Sequence, residues 1–166
     1  MKSFNDYIYQ YRKQIEKGDI QEAYKGLMEY IMNLRNHFQK KYPEYLVSGS
    51  IYFGFMDMTY FSFTPKTLKN AGLKIAIVFI HDKIKFEVWL AGVNKQSQLK
   101  HWKIFKESNW NLYRIPVDTK GIDFIVAHDL VDNPDFNDLD TLTKQIETGT
   151  FKFTKDILNF LTKNTD

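Results

Sequence analysis

The sequence predicts an α+β fold: a single domain over residues 1–166, with an N-terminal helix pair, a mainly antiparallel sheet of about four to five strands and a long C-terminal helix. Three observations carry that reading. Residues 73–90 hold two runs of apolar alternation broken by a short polar stretch, the pattern of a β-hairpin. Residues 20–38 and 137–163 each sustain an apolar stripe at helical spacing. Helices and strands are joined by short connections, without low-complexity sequence or internal repeats, as one packed layer of helices on a sheet requires.

The elements follow in chain order. Phe4, Tyr7, Ile8, Tyr11 and Ile15 recur at helical spacing, and Gly18 is a natural stop. Asp19 and Glu22 have capping-box spacing and open a second helix. Its stripe runs Ile20, Ala23, Tyr24, Leu27, Met28, Ile31, Leu34 and Phe38, and Pro43 ends it. The tight turn between the two predicts an antiparallel helix pair. Residues 51–63 are rich in aromatics and read as one strand, or two with a kink at Gly54. Pro65 to Gly72 reads as one or two helical turns.

In the hairpin, Leu73, Ile75, Ile77 and Phe79 alternate, then Ile84, Phe86, Val88 and Leu90. With Asp82-Lys83 as a two-residue turn, Phe79 faces Phe86 and Ile77 faces Val88, so both apolar sets share one sheet face. The opposite face carries Lys74, Ala76, Val78, Ile80, Lys85, Glu87 and Trp89. Asn94 caps a helix running to about Glu107, with Leu99, Trp102 and Phe105 inward. Residues 108–121 read as loop, Ile122, Phe124, Val126 and His128 as a last strand, and Asp132-Asn133-Pro134-Asp135 as a turn. The C-terminal helix begins near Asn137, with Gly149 a mild break.

Composition bounds the function. With no cysteine, the chain has no disulfide scaffold, thiol nucleophile or sulfur-based zinc site. No stretch resembles a signal peptide or a membrane span, so a soluble cytoplasmic protein with no membrane contact is expected. The net charge of +3 conceals a split. Residues 66–106 hold nine lysines against Asp82 and Glu87, whereas 107–147 hold nine acids against Arg114, Lys120 and Lys144. Such blocks either form a phosphate-binding face or neutralise each other side by side. The near balance argues against a nucleic-acid partner without excluding one.

Catalytic motifs are missing. The sequence has no G-x-x-x-x-G-K-[ST], no G-x-G-x-x-G and no G-x-S-x-G. His37, His81, His101 and His128 show no metal-ligand spacing. Catalytic residues and cofactors therefore stay unassigned, and no metal site is expected.

Three stretches together carry a resemblance: residues 54–65 (GFMDMTYFSFTP), 73–81 (LKIAIVFIH) and 86–94 (FEVWLAGVN). They resemble an uncharacterised family of small bacterial proteins known only as a domain of unknown function. The resemblance covers nearly the whole chain, including residues 132–136, and implies a bacterial source and a single-domain organisation, with no activity attached. The element order of helix, three strands, helix and strand is also similar to the restriction-endonuclease-like core. In that fold, strand acids and a lysine two residues after the second acid hold a divalent metal. Here Glu87-Val88-Trp89 puts tryptophan in the lysine position.

Five residues stand out as ligand-binding candidates: Tyr52, Asp57, Tyr60, Glu87 and Trp89. On an uninterrupted strand Asp57 shares a face with Phe53, Phe55, Phe61 and Phe63, and a carboxylate buried there must be paired, hydrogen-bonded or protonated. A bulge at Gly54 would turn it to the opposite face. Glu87 lies beside Trp89 on one sheet face, able to line a polar pocket. Tyr52 and Tyr60, with Met56 and Met58, add aromatic and thioether surface. Three functions are compatible with this set. The favoured one is a non-catalytic module binding a small ligand or a protein partner. The second is a divergent metal-dependent nuclease or phosphodiesterase using Asp57 and Glu87. The third is a structural protein that forms a homodimer through its long amphipathic helices.

Overall fold

A computed structural model describes residues 1–164. The chain divides into two compact units, Met1–His37 and the remainder from Phe38. In the first, helix α1 (Phe4–Ile15) starts at a reciprocal capping box in which Ser3 and Asp6 satisfy each other's backbone N–H groups. None of its residues is buried, and Phe4, Tyr7, Ile8 and Tyr11 all face solvent. The expected apolar stripe thus exists as a pattern without becoming core. Gly18, at φ +84°, makes the turn, and its carbonyl accepts from Glu22 N–H. Helix α2 (Asp19–Lys41) begins directly after it, so Asp19 is its first residue and not its cap.

In the second unit five strands form one antiparallel meander in chain order: β1 (Tyr45–Val47), β2 (Met58–Pro65), β3 (Leu73–Ile80), β4 (Lys85–Gly92) and β5 (Val126–Asp132). The short helix α3 (Lys66–Asn70) connects β2 to β3, α4 (Lys95–Glu107) follows β4, and α5 (Leu139–Asn164) is the last element among the described residues. The fold is α+β, with the hairpin register as the alternation requires: Phe79 pairs with Phe86 and Ile77 with Val88. The turn is closed by Ile84 N–H donating to the His81 carbonyl, with Ile84 in the left-handed region at φ +47°.

One face of the sheet is core. Leu73, Ile75, Val88, Leu90 and Val126 pack with Phe105 of α4 and with Phe153, Ile157, Phe160 and Leu161 of α5. Most of the aromatic excess is spent on packing. Phe38, Tyr42, Tyr45, Phe63 and Phe151 form one ring cluster at the β1 edge, and Phe105, Trp110, Tyr113, Phe153 and Phe160 form another.

Three expectations need correction. Residues 51–63 are not one strand: Gly54 (φ +70°) and Met56 (φ +63°) turn the chain, and β2 begins only at Met58. A Cβ on Gly54 would lie 2.2 Å from the Met58 carbonyl oxygen, so this turn requires glycine. Ile122 and Phe124 precede β5 instead of belonging to it. Leu99 is exposed on α4, while His101 takes the buried position and its Nδ1 bonds the Ser97 carbonyl. The element-order similarity to the restriction-endonuclease-like core finds no support in the uninterrupted antiparallel meander. Among the described residues no helix is long and apolar enough to cross a membrane.

Phe153 is wholly buried between α5 and the sheet, so Phe153→Ala should lower unfolding free energy by about 3–5 kcal/mol in a denaturant titration. Phe4→Ala, at an exposed position, should change it by less than about 0.5 kcal/mol.

Candidate functional site

Successive strand residues point to opposite faces, so the residues between the core positions of β2, β3, β4 and β5 form a second surface. At its centre Ala76, Val78, Trp89 and Ala127 make a small buried cluster, with Met58, Tyr60, Ile80 and Phe124 packed around it. Above this cluster lies a groove of about 910 Å³. Its sheet lining combines small and large side chains: Ala76 and Ala91 against Tyr60 and Trp89, with Lys74 opposite Ala91 and two residues before Ala76 on β3. Tyr52, the first turn of α4 and the loop 119–123 supply the rest.

Each wall has a local cause. Tyr52 pairs with Tyr60 through two backbone hydrogen bonds of 2.9 Å, and their rings stack with centroids 4.9 Å apart. Asp57 sits in the turn that brings them together. Its side chain is solvent-exposed and accepts from Phe55 N–H at 2.9 Å. That bond, with a further one from Met58 N–H, holds its carboxyl below the usual carboxylate range. The inward carboxylate among phenyl rings expected from an uninterrupted strand is therefore not formed. Asp57 secures a turn and does not line the groove.

The start of α4 comes close because residue 92 is glycine: a Cβ there would lie 2.3 Å from the Gln98 backbone nitrogen. Asn94 caps the helix, accepting from Ser97 N–H at 2.8 Å. Gln98 Oε1 accepts from Gly92 N–H at 2.6 Å, which fixes the orientation of its amide. The amide nitrogen is then a buried donor with no partner among the described residues. An unmet donor of this kind costs about 1–3 kcal/mol.

Glu87 is nearly completely buried, at 3% exposure. One carboxylate oxygen accepts from the Trp89 indole N–H at 2.6 Å. The other faces Lys85 Nζ at 2.7 Å and Arg114 Nη2 at 3.1 Å. Asp129 completes the network, 2.9 Å from Lys85 and 3.4 Å from Arg114. Burial alone would lower the Lys85 ammonium, but its bonds to Glu87 and Asp129 outweigh that and hold it above its ordinary value. Asp129 is likewise opposed by burial, and its bond to Lys85 carries its carboxyl below the usual range. Arg114 is itself stitched beside β5 by a two-way backbone bridge to Ala127, and its guanidinium lies over Phe124, which packs on Trp89. Glu87 thus sets the Trp89 ring from beneath the groove and has no lining atom of its own.

Tyr52, Tyr60 and Trp89 are brought together at the groove; Asp57 and Glu87 are not. Asp57 accepts from His81 N–H through its carbonyl, whereas Glu87 lies opposite Val78, three residues back along β3. Each acid is committed locally: both Glu87 oxygens are held by Trp89, Lys85 and Arg114, and the Asp57 carboxylate by the Phe55 N–H. The two acids do not form the metal pair that a nuclease reading needs. The charge blocks meet in part, through Lys85 and Asp129. Sequence reasoning missed Lys74, Lys95, Gln98 and Lys120 as groove residues. Lys74 was findable, because the hairpin register sets it on the Trp89 face. The loop 119–123 has no periodic signal.

The chain belongs to the DUF7000 family, a domain of unknown function, whose family model matches residues 4–161. That agrees with the resemblance carried by residues 54–65, 73–81 and 86–94. No curated protein and no solved structure matches the chain.

Two predictions follow from this geometry. Glu87→Ala leaves the buried Trp89 indole N–H unmet and leaves Lys85 and Arg114 with Asp129 alone, so it should cost about 1–3 kcal/mol in equilibrium unfolding. Its Trp89 emission, isolated by subtracting a Trp89→Phe spectrum, should shift to the red. The second concerns His81, whose Nε2 lies 2.8 Å from Thr59 Oγ1 while that hydroxyl donates to the Phe53 carbonyl. Burial lowers the His81 imidazole below its ordinary 6.5, opposed by the Asp57 charge. The folded state therefore binds this proton less readily than the unfolded chain. Its stability contribution is complete above about pH 6.5 and is lost as pH falls through that value toward the folded-state one. His81→Gln should flatten the stability–pH curve between about pH 7 and 5, leaving the share due to His128, which burial lowers in the same direction.

Proposed function

We propose that the protein is a non-catalytic binding module that holds a small ligand in the groove on the open face of its sheet. The observation that carries this reading is the groove itself: about 910 Å³ of concave space, with stacked Tyr52 and Tyr60, a Trp89 ring held from below, and a buried amide donor on Gln98. Its size lies within the range of small-molecule sites, which combine aromatic surface with a few converging polar groups. In this reading Tyr52, Tyr60 and Trp89 touch the ligand. Glu87 positions Trp89, and Asp57 holds the turn that sets Tyr52 against Tyr60. The reading takes residues 1–166 as one domain working in the cytoplasm, in keeping with its lack of cysteine.

The geometry supports binding more directly than reaction. Glu87, the buried acid nearest the groove, has its oxygens committed to Trp89, Lys85 and Arg114. Among the described residues no three histidine, aspartate or glutamate side chains gather as a metal cluster would.

A thermal-shift screen against metabolites, with Trp89 emission as second readout, tests the reading. A true ligand should raise the melting temperature, and one present at 100 times its Kd stabilises by about 2.7 kcal/mol. Leu99→Arg, at an exposed α4 position lining the groove, should abolish the shift with little effect on the unliganded protein. Ligands that stabilise wild type and Leu99→Arg equally would contradict the site.

A further inference from the structure

Resting on that groove as the binding site, we propose that its ligand is a planar aromatic ring carrying a phosphate group, the chemistry of a nucleoside monophosphate. Two features of the groove differ in kind and lie side by side. One is a ring-binding surface made by the stacked Tyr52–Tyr60 pair and Trp89, on the two sides of β3, where Ala76 lies opposite Trp89. Alanine leaves room there for a flat group, and aromatic faces accept a planar ring by stacking. The other is an excess of cations: Lys74, Lys95 and Lys120 line the groove against one acid, Asp123.

Those lysines are not committed elsewhere. Lys95 and Lys120 have no ion-pair partner among the described residues. Lys74 Nζ lies 5.7 Å from the centre of the Tyr60 ring, which places a cation at the border between the ring surface and the rest of the groove. The excess of two positive charges matches a phosphate monoester, which carries about −1.5 to −2 near neutral pH. The cation type points the same way. No arginine lines the groove, so it lacks the planar fork that pairs bidentately with a carboxylate, whereas lysines bind phosphate as point charges. A free nucleotide is favoured over a nucleotide within a single strand because these cations are confined to one groove, while a bound strand needs a basic track along its length.

The test is isothermal titration of the intact protein with AMP and UMP, the matching nucleosides, inorganic phosphate and a ten-nucleotide single strand. A nucleoside monophosphate should bind about tenfold or more tightly than its nucleoside or phosphate alone, as charge-assisted contacts to the phosphate require. Lys74→Gln combined with Lys120→Gln should remove that preference while leaving nucleoside binding in place, and Tyr52→Ala should weaken nucleotide and nucleoside alike. Circular dichroism melts of each variant keep loss of binding distinct from loss of fold. Equal affinity for nucleotide and nucleoside overturns the phosphate assignment, and tighter binding of the single strand overturns the free nucleotide. If no nucleotide binds, yet a compound of other chemistry binds wild type and not Leu99→Arg, this inference fails and the groove stands. If nothing binds, both fail.

Discussion

A carboxylate buried in a sheet must find partners, and Glu87 finds three. It accepts from the Trp89 indole two residues along its own strand, and it faces Lys85 and Arg114. That single requirement organises the open side of the molecule. It fixes the large ring of Trp89 against Ala76 and Ala127, and it draws the loop bearing Arg114 alongside β5. It also places Phe124 between the guanidinium and the indole. A buried ionic group is weak evidence for added stability, since well-packed apolar residues serve as well. Its value here is geometric, because it makes one ring orientation better than the others.

The two faces of the sheet are consequently unlike. The core face is filled by Leu, Ile, Val and Phe from β3, β4, α4 and α5. The open face alternates alanine with aromatic and lysine side chains, so it cannot close on itself. Gly92 lets α4 start within van der Waals distance of β4, and the turn at Gly54 and Met56 returns Tyr52 onto Tyr60. Concavity therefore arises from two backbone devices at either side of a flat floor, not from a cleft between domains.

How much of this was legible in the sequence depends on the range of the interaction. The register of the β3–β4 hairpin could be read, because a strict period of two encodes both register and the buried face, but its turn could not: Ile84, expected on the strand, is an exposed loop residue at φ +47°. The Asn94 cap was equally local. The turn at residues 54–57 was only half legible. Gly54 marks a bend, but nothing in a methionine announces a left-handed φ at Met56, and without it Asp57 reads as an inward strand residue. Glu87 and Trp89 were singled out correctly as neighbours. Of the two cations at Glu87, Lys85 sits two residues away on the same face and was legible, whereas Arg114 lies 27 positions away in a loop with no periodicity. The same holds for residues 119–123, which enter the groove only through tertiary placement.

The central claim is that the open face of the sheet, and not the helical side, is where this protein meets its ligand. Nitrogen-resolved NMR of the uniformly labelled protein, titrated with UMP, addresses it residue by residue. The account predicts that shifts concentrate on the Trp89 indole N–H and on the amides of Tyr52, Tyr60, Lys74, Gln98 and Lys120. Perturbations centred on α5 or α1, with the Trp89 indole signal unmoved at saturation, would contradict it.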